Sequence, residues 1–254
     1  MRVYLAALGN VKREFEQGKF KPEDIYVLES FYSLADWQKP LLRRFKGFLL
    51  DSGAFTFMNA AQKHGSVDWL SYADQYADFI KEYGIRQYFE LDIDALKGIK
   101  YVEMLRSRIE ARCGVQAIPV WHKGRGKDYF IGMCRDYPYV SLGGIVTKEI
   151  DRSKYEQLFP WFIATAHRSG CKIHGLGYTN LDGMKRFRFD SVDSTTWTMS
   201  GRFGQLMQYD RGTIIKHNSV VGGVKLRKII DPRSSYAHNF GEWLKFQKYA
   251  DNNL

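Results

Sequence analysis

Phe48-Leu49-Leu50-Asp51-Ser52-Gly53 is an apolar run closed by an acid, a hydroxyl and a glycine. A short run of consecutive apolar residues suits a strand buried on both faces, and Asp-Ser-Gly is the turn chemistry that stops one. The same grammar recurs along the chain. Runs at residues 2–8, 26–29, 48–51, 88–92, 117–121, 139–143, 172–177 and 189–193 make eight expected strands. Between them the period changes to that of helices. Asp68 is placed to cap a helix carrying Trp69, Ala73, Tyr76, Ile80 and Tyr83, with Gly84 as its stop. Residues 101–112 repeat the pattern through Val102, Leu105 and Ile109, and residues 155–167 through Leu158, Phe162, Ile163 and Ala166. Phe240, Trp243 and Leu244 mark a final helix.

Eight strands alternating with helices predict a TIM (β/α)8 barrel, with a doubly wound open sheet as the alternative. A chain of 254 residues fills one such domain, so residues 1–254 are read as a single barrel. Barrel chemistry gathers at the C-terminal ends of the strands. That rule brings Asp51, Asp92, His122, Gly143 with Gly144, Gly177 and Asp193 to one expected pocket.

With 44% apolar and 26% charged residues, the composition lies outside the disordered, collagen-like and disulfide-scaffold classes. No run reaches the length of a membrane span, so no membrane partner is expected. The N-terminus turns polar too early for a signal peptide, and Cys113, Cys134 and Cys171 are odd in number and widely spaced. Both facts fit a reducing cytoplasm. The formal net charge of +10 favours a polyanionic partner through long-range attraction and counterion release, although a merely solvated basic surface is the bland alternative. The charge is concentrated in residues 201–235. There Arg202, Arg211, Lys216, Lys225, Arg227 and Lys228 are the candidate nucleic-acid contacts, in what reads as a basic insertion near the last strand.

Several site types are excluded. No Cys pair has zinc-site spacing, the histidines form no H-E-x-x-H, and no Walker A or G-x-S-x-G sequence occurs. Gly124 and Gly126 form a lone G-x-G without the rest of a dinucleotide fingerprint. No metal ligand set and no cofactor is therefore expected. Carboxylate chemistry remains. Asp51 and Asp193 across a pocket suit a nucleophile and a proton shuttle, the pair that breaks glycosidic bonds with retention, unless both simply cap turns.

Asp51-Ser52-Gly53-Ala54-Phe55 resembles the D-S-G-G-F-Q motif of the tRNA-guanine transglycosylase (queuine tRNA-ribosyltransferase) superfamily. The stretch from Asp193 to Gln205, with Gly201, Arg202, Gly204 and Gln205 in register, is similar to its nucleophile segment D-C-V-x-P-T-R-x-G-R-x-G-Q. Phe89-Glu90-Leu91-Asp92, Val120-Trp121-His122-Lys123-Gly124 and Leu142-Gly143-Gly144-Ile145 stand in order where that family has its base-reading Asp, its V-Q-G-G and its G-G-L. The resemblance implies a barrel that exchanges guanine in a nucleic acid for a free 7-deazaguanine base. Asp193 would attack C1′ and Asp51 would serve as general acid and base, with Asp190 the rival nucleophile. Asp92 would accept from the purine N1–H and amine, with Asp94 the competitor. Ser52, His122, Gly143, Gly144 and Gly177 would complete the base pocket.

The departures are informative. No cysteine follows Cys171, so the family's zinc subdomain is absent. His122 replaces a Gln that reads the base, Thr56 replaces another Gln, and Ala54 replaces a Gly. These features look like the short DNA-acting, DpdA-type paralogues of phages and bacterial islands, which evade restriction by inserting bases such as 7-cyano-7-deazaguanine into DNA. DNA is thus the expected partner and tRNA the alternative, in a cytoplasm that is the host's if a phage encodes the chain, with a homodimer left open. Reaching C1′ in a duplex requires flipping the nucleotide out. Trp121, Tyr178 and Trp197, beside strand ends, read first as core or rim packing, with stacking on the flipped base as the alternative. A catalytically silent nucleic-acid-binding barrel and a small-substrate glycosidase or nucleoside hydrolase are the readings from other classes.

Overall fold

Alternate residues of the strands point to opposite faces, and here both faces are apolar. The computed structural model describes residues 1–54, 56, 68–199, 205–217, 220–221, 224–225 and 232–254. Seven strands form one parallel sheet: β1 Arg2–Ala6, β2 Tyr26–Ser30, β3 Gly47–Asp51, β4 Val120–Trp121, β5 Tyr139–Leu142, β6 Lys172–Gly175 and β7 Ser191–Ser194. Their order is β3-β2-β1-β7-β6-β5-β4, so the first strand lies beside the last of the seven. Tyr4 pairs with Asp193 there, and Leu5 pairs with Val27 on the other side.

The sheet curls. Tyr4, Ala6, Tyr26, Leu28, Leu49, Phe89, Ile118, Val120 and Tyr139 form one apolar cluster inside the curl. Their neighbours Val3, Leu5, Val27, Leu50, Val140, Ile173 and Val192 belong to the larger cluster shared with the helices.

Residues 88–92, expected as an eighth strand, make single bridges instead of a ladder: Tyr88 with Leu50, and Phe89 with Ile118. The physical reason is local. The Val120 N–H goes to the Glu90 carboxylate at 2.7 Å, where a strand would offer a carbonyl.

The expected helices are present. Those of the described residues are α1 Lys12–Glu16, α2 Trp69–Tyr83, α3 Asp94–Lys97, α4 Ile99–Cys113, α5 Gly126–Asp136, α6 Tyr155–Arg168, α7 Leu181–Arg186 and α8 Pro232–Asn253. Asp68 caps α2 by accepting from the Leu70 and Ser71 amides, and Gly84 ends it in the left-handed region. The last helix is tied to the first strands by Gln247, whose amide donates to the carbonyls of Val3 and Tyr26 and accepts from the Tyr26 N–H.

After β7 the chain forms the antiparallel pairs β8 Met207–Asp210 with β9 Thr213–Lys216, and β10 Val220–Val221 with β11 Val224–Lys225. The Met207 and Tyr209 amides donate to Asn239 and Glu242 of α8, fastening the first hairpin to that helix. Among the described residues no helix is long and apolar enough to cross a membrane.

Candidate functional site

At the C-terminal ends of the strands a cavity of about 1030 Å³ opens, lined by Asp51, Asp92, His122, Gly144, Gly177 and Asp193 among others. Strand periodicity explains why these side chains meet. Leu49 and Asp51 on β3, Val120 and His122 at β4, and Ser191 and Asp193 on β7 are each two residues apart, so each polar group continues an inward-facing row.

Asp51 ends β3 and accepts the Gly53 N–H at 3.0 Å. Gly53 has φ +70, and a Cβ there would run into Ser30 and Tyr32, so the Asp-Ser-Gly turn needs its glycine. Burial first, and then the charge of Asp92 with that of Asp193 behind it, push the Asp51 carboxyl up to about 7. Two tyrosines of α2 hold this corner. The Tyr76 hydroxyl lies 3.1 Å from the carbonyls of Leu50 and Phe89, and the Tyr72 hydroxyl donates to the Ser52 carbonyl at 2.5 Å.

Across the cavity, Asp193 is buried and accepts the Gly177 N–H at 2.5 Å, and His174 Nε2 lies 3.1 Å from the same oxygen. Both bonds fall on Oδ1, so neither occupies Oδ2. Gly177 presents its amide from φ +71, where any Cβ would strike Val146.

Asp92 and His122 are joined, Nε2 to Oδ2 at 3.2 Å, while His122 Nδ1 meets Glu149 Oε1 at 3.0 Å. Burial opposes charge on this imidazole, but the hydrogen bond and charge of Asp92, with Glu149 and Asp94, raise it to about 9. His122 is therefore an imidazolium at neutral pH. Asp94 also reaches the cavity and is held by Arg125 Nε at 2.9 Å. Arg125 in turn donates to the fully buried Glu90, which also takes Arg106.

Several expectations need correction. Ser52 is buried behind the turn, its hydroxyl accepting the Ala54 N–H, and it does not line the cavity. Gly143 also lies off the cavity. Its amide bonds the Trp121 carbonyl, and a Cβ would collide with that oxygen and with His122, whereas Gly144 does reach the site. Trp121, Tyr178 and Trp197, by contrast, are core residues, as the packing reading of them expects. The Trp121 and Trp197 indoles donate to the carbonyls of Gly126 and Ala6, and Tyr178 packs among Phe159, Phe187 and Phe189.

Asp190 sits at the N-terminal entry to β7, bound to the Ile173 amide and to His167, and is not among the cavity residues. Of the basic candidates, Arg211 extends from the β8–β9 turn with its side chain 96% exposed, and Lys216 is exposed on β9. Lys225 is on β11, its side chain outside the description, and Arg202, Arg227 and Lys228 lie outside the described residues.

Glu149 and His174 were not foreseen. Glu149 lies in the loop after β5, where no spacing marks it. His174 carries a signal that was legible: a polar ring at an inward position of β6, between apolar Ile173 and Gly175. Among the described residues no group of three or more His, Cys, Asp or Glu is arranged to hold a metal ion.

No known protein family matches the chain, and no curated protein does. Among solved structures, the protein CitE of Mycobacterium tuberculosis, determined in complex with magnesium, acetoacetate and coenzyme A, is similar at a TM-score of 0.42 and 8% identity, over 95% of this chain and 98% of that one. A likeness of that size carries no argument about this chain.

Proposed function

We propose that this chain is a guanine transglycosylase that exchanges guanine in DNA for a free 7-deazaguanine base, such as 7-cyano-7-deazaguanine. The observation that carries this reading is a pair of carboxylates on one cavity. Asp51 is raised to about 7, where it gives or takes a proton, and Asp193 has one oxygen held by the Gly177 amide and His174 while the other has no partner among the described residues.

The steps balance. Asp193 Oδ2 attacks C1′ as the bond from C1′ to guanine N9 breaks, and the departing base takes the Asp51 proton. Asp51, now a carboxylate, takes the N–H proton of the incoming base. That nitrogen attacks C1′, the ester to Asp193 breaks, and both acids return to their starting states. Asp92 accepts from the donors on the purine edge through lone pairs that His122 leaves open. Further support comes from the ordered motif resemblance and from the charge of +10, with Arg211 and Lys216 exposed beside the last helix.

For the architecture we propose a (β/α)8 barrel spanning residues 1–254, in which the stretch bridged at Tyr88 and Phe89 is the eighth stave and residues 201–235 contact nucleic acid. A cytoplasmic enzyme without a membrane partner fits this reading.

The test is exchange of labelled guanine or 7-cyano-7-deazaguanine into duplex DNA and tRNA offered in parallel. Label in DNA supports the proposal. Label in tRNA alone keeps the mechanism and moves the substrate. Label in neither, with cleavage of free nucleosides, replaces the proposal with a hydrolase.

A further inference from the structure

Behind Asp193, three further polar side chains run in a line inside the curl of the sheet. His174 on β6 pairs in register with Ser191 on β7, and Ser191 stands two residues before Asp193 on the same inward face. The imidazole spans the two: Nδ1 is 2.5 Å from Ser191 Oγ and Nε2 is 3.1 Å from Asp193 Oδ1. Ser191 Oγ also contacts the hydroxyl of Tyr139, the first residue of β5. None of the four is more than 9% exposed, and the imidazole is fully enclosed, its ring set between Phe89 and Tyr4.

We propose that Tyr139, Ser191 and His174 form a one-way hydrogen-bond chain that orients Asp193, with His174 the positioning residue for the attacking carboxylate. The inference rests on the reading of Asp193 as nucleophile.

The direction follows from donor and acceptor inventory. An ionised carboxylate only accepts, so His174 Nε2 carries the hydrogen. A neutral imidazole protonated there has Nδ1 as acceptor, so the Ser191 hydroxyl donates to it. With its single proton committed, Ser191 Oγ accepts from Tyr139. Burial holds the Tyr139 phenol well above its ordinary range, so it remains a donor. Each link therefore fixes the next. Because His174 and the Gly177 amide both bind Oδ1, the chain also selects Oδ2 as the oxygen that attacks.

The full chain, labelled with ¹⁵N-histidine, tests this without substrate: the His174 ring shifts are expected to show hydrogen on Nε2 and an accepting Nδ1. Single-turnover formation of the covalent complex with duplex DNA tests its consequence. His174→Phe is expected to slow that step about 100-fold while DNA affinity stays within about two-fold. His174→Gln keeps a donor toward Asp193 and is expected to restore the rate to within about 10-fold of the parent.

An Nδ1-protonated ring overturns the proposal, as does a His174→Phe protein that reacts at the parent rate or a His174→Gln protein no better than His174→Phe. Should His174→Phe fail to fold, Ser191→Ala decides: loss of the Nε2–H tautomer and a slower step support the chain, and an unchanged ring and rate refute it. If the parent forms no covalent complex with DNA or tRNA, the transglycosylase reading falls, while the tautomer still decides the hydrogen-bond chain.

Discussion

Nε2 of His122 stands 3.2 Å from Oδ2 of Asp92, placing a cation beside an acid that shares its cavity with Asp51, Asp94 and Asp193. The imidazole is clamped from its far side by Glu149 at 3.0 Å, so both ring nitrogens donate. A cation in this position offsets part of the repulsion that the four aspartates would otherwise impose on one another.

The raised His122 pKa gives a signed expectation. Its folded value of about 9 exceeds the unfolded value of about 6.5, so its contribution to stability is complete below about 6.5 and is lost as pH rises through about 9. Glu149→Gln removes one neighbouring charge and is expected to lower the His122 midpoint by about 1 unit. An NMR titration of the His122 ring reads this directly. A parent midpoint near the ordinary histidine value would remove the clamp from the account.

Asp51 makes base release pH-dependent. Since its acid form protonates the departing guanine, the single-turnover release rate is expected to fall as pH rises through about 7. Asp92→Asn removes the strongest neighbouring charge, so that limb should move to lower pH. Asp51→Asn should slow turnover by about 10²-fold or more with DNA binding intact. A release rate flat from pH 5 to 9 in the parent would mean that Asp51 is not the proton donor.

Asp193 and Asp190, three residues apart, should separate cleanly. Asp193→Ala is expected to abolish the covalent complex. Asp190→Ala should leave exchange largely intact and cost about 1–3 kcal/mol of stability, because the Ile173 amide loses its acceptor at the far end of the strand. Denaturing electrophoresis of the trapped complex, paired with melting curves, distinguishes them, and the reverse pattern would move the nucleophile to Asp190.

Glu29 predicts a stability profile away from the cavity. This side chain is 6% exposed and accepts the Leu8 N–H at 2.6 Å; burial raises its carboxyl to about 7 against the opposing pull of that bond. The folded state thus retains a proton that the unfolded chain releases between about 4.5 and 7, so stability should decline across that window and level off above it. Glu29→Gln keeps the acceptor and removes the titration. It should gain about 1–3 kcal/mol at pH 8 and little at pH 4.5, as urea unfolding at the two pH values would show.

Reading the sequence recovered the strands whose apolar runs end in a turn residue, and the helix from Trp69 to Tyr83 with both its cap and its stop. It also named Asp51, Asp92, His122, Gly144, Gly177 and Asp193, because strand ends declare themselves through composition. The run at Tyr88 makes single bridges where a ladder was expected, since pattern alone does not reveal that Glu90 takes the amide of Val120. Trp121, Tyr178 and Trp197 were candidates by position, yet their depth depends on which helix covers them. Glu149 stayed hidden because its role depends on a contact 27 residues back along the chain.

The three hydrogen bonds of Gln247 to Val3 and Tyr26 have a temporal consequence. They join residues as far as 244 apart in sequence, so the first two strands receive this clasp only after residue 247 has been synthesised. Contacts of such long separation carry a large loop-closure cost and tend to form late. Until the last helix docks, the opening strands on the ribosome present the unpaired amide of Tyr26 and the carbonyls of Val3 and Tyr26. That interval is when an emerging chain is most exposed to pairing with the wrong neighbour.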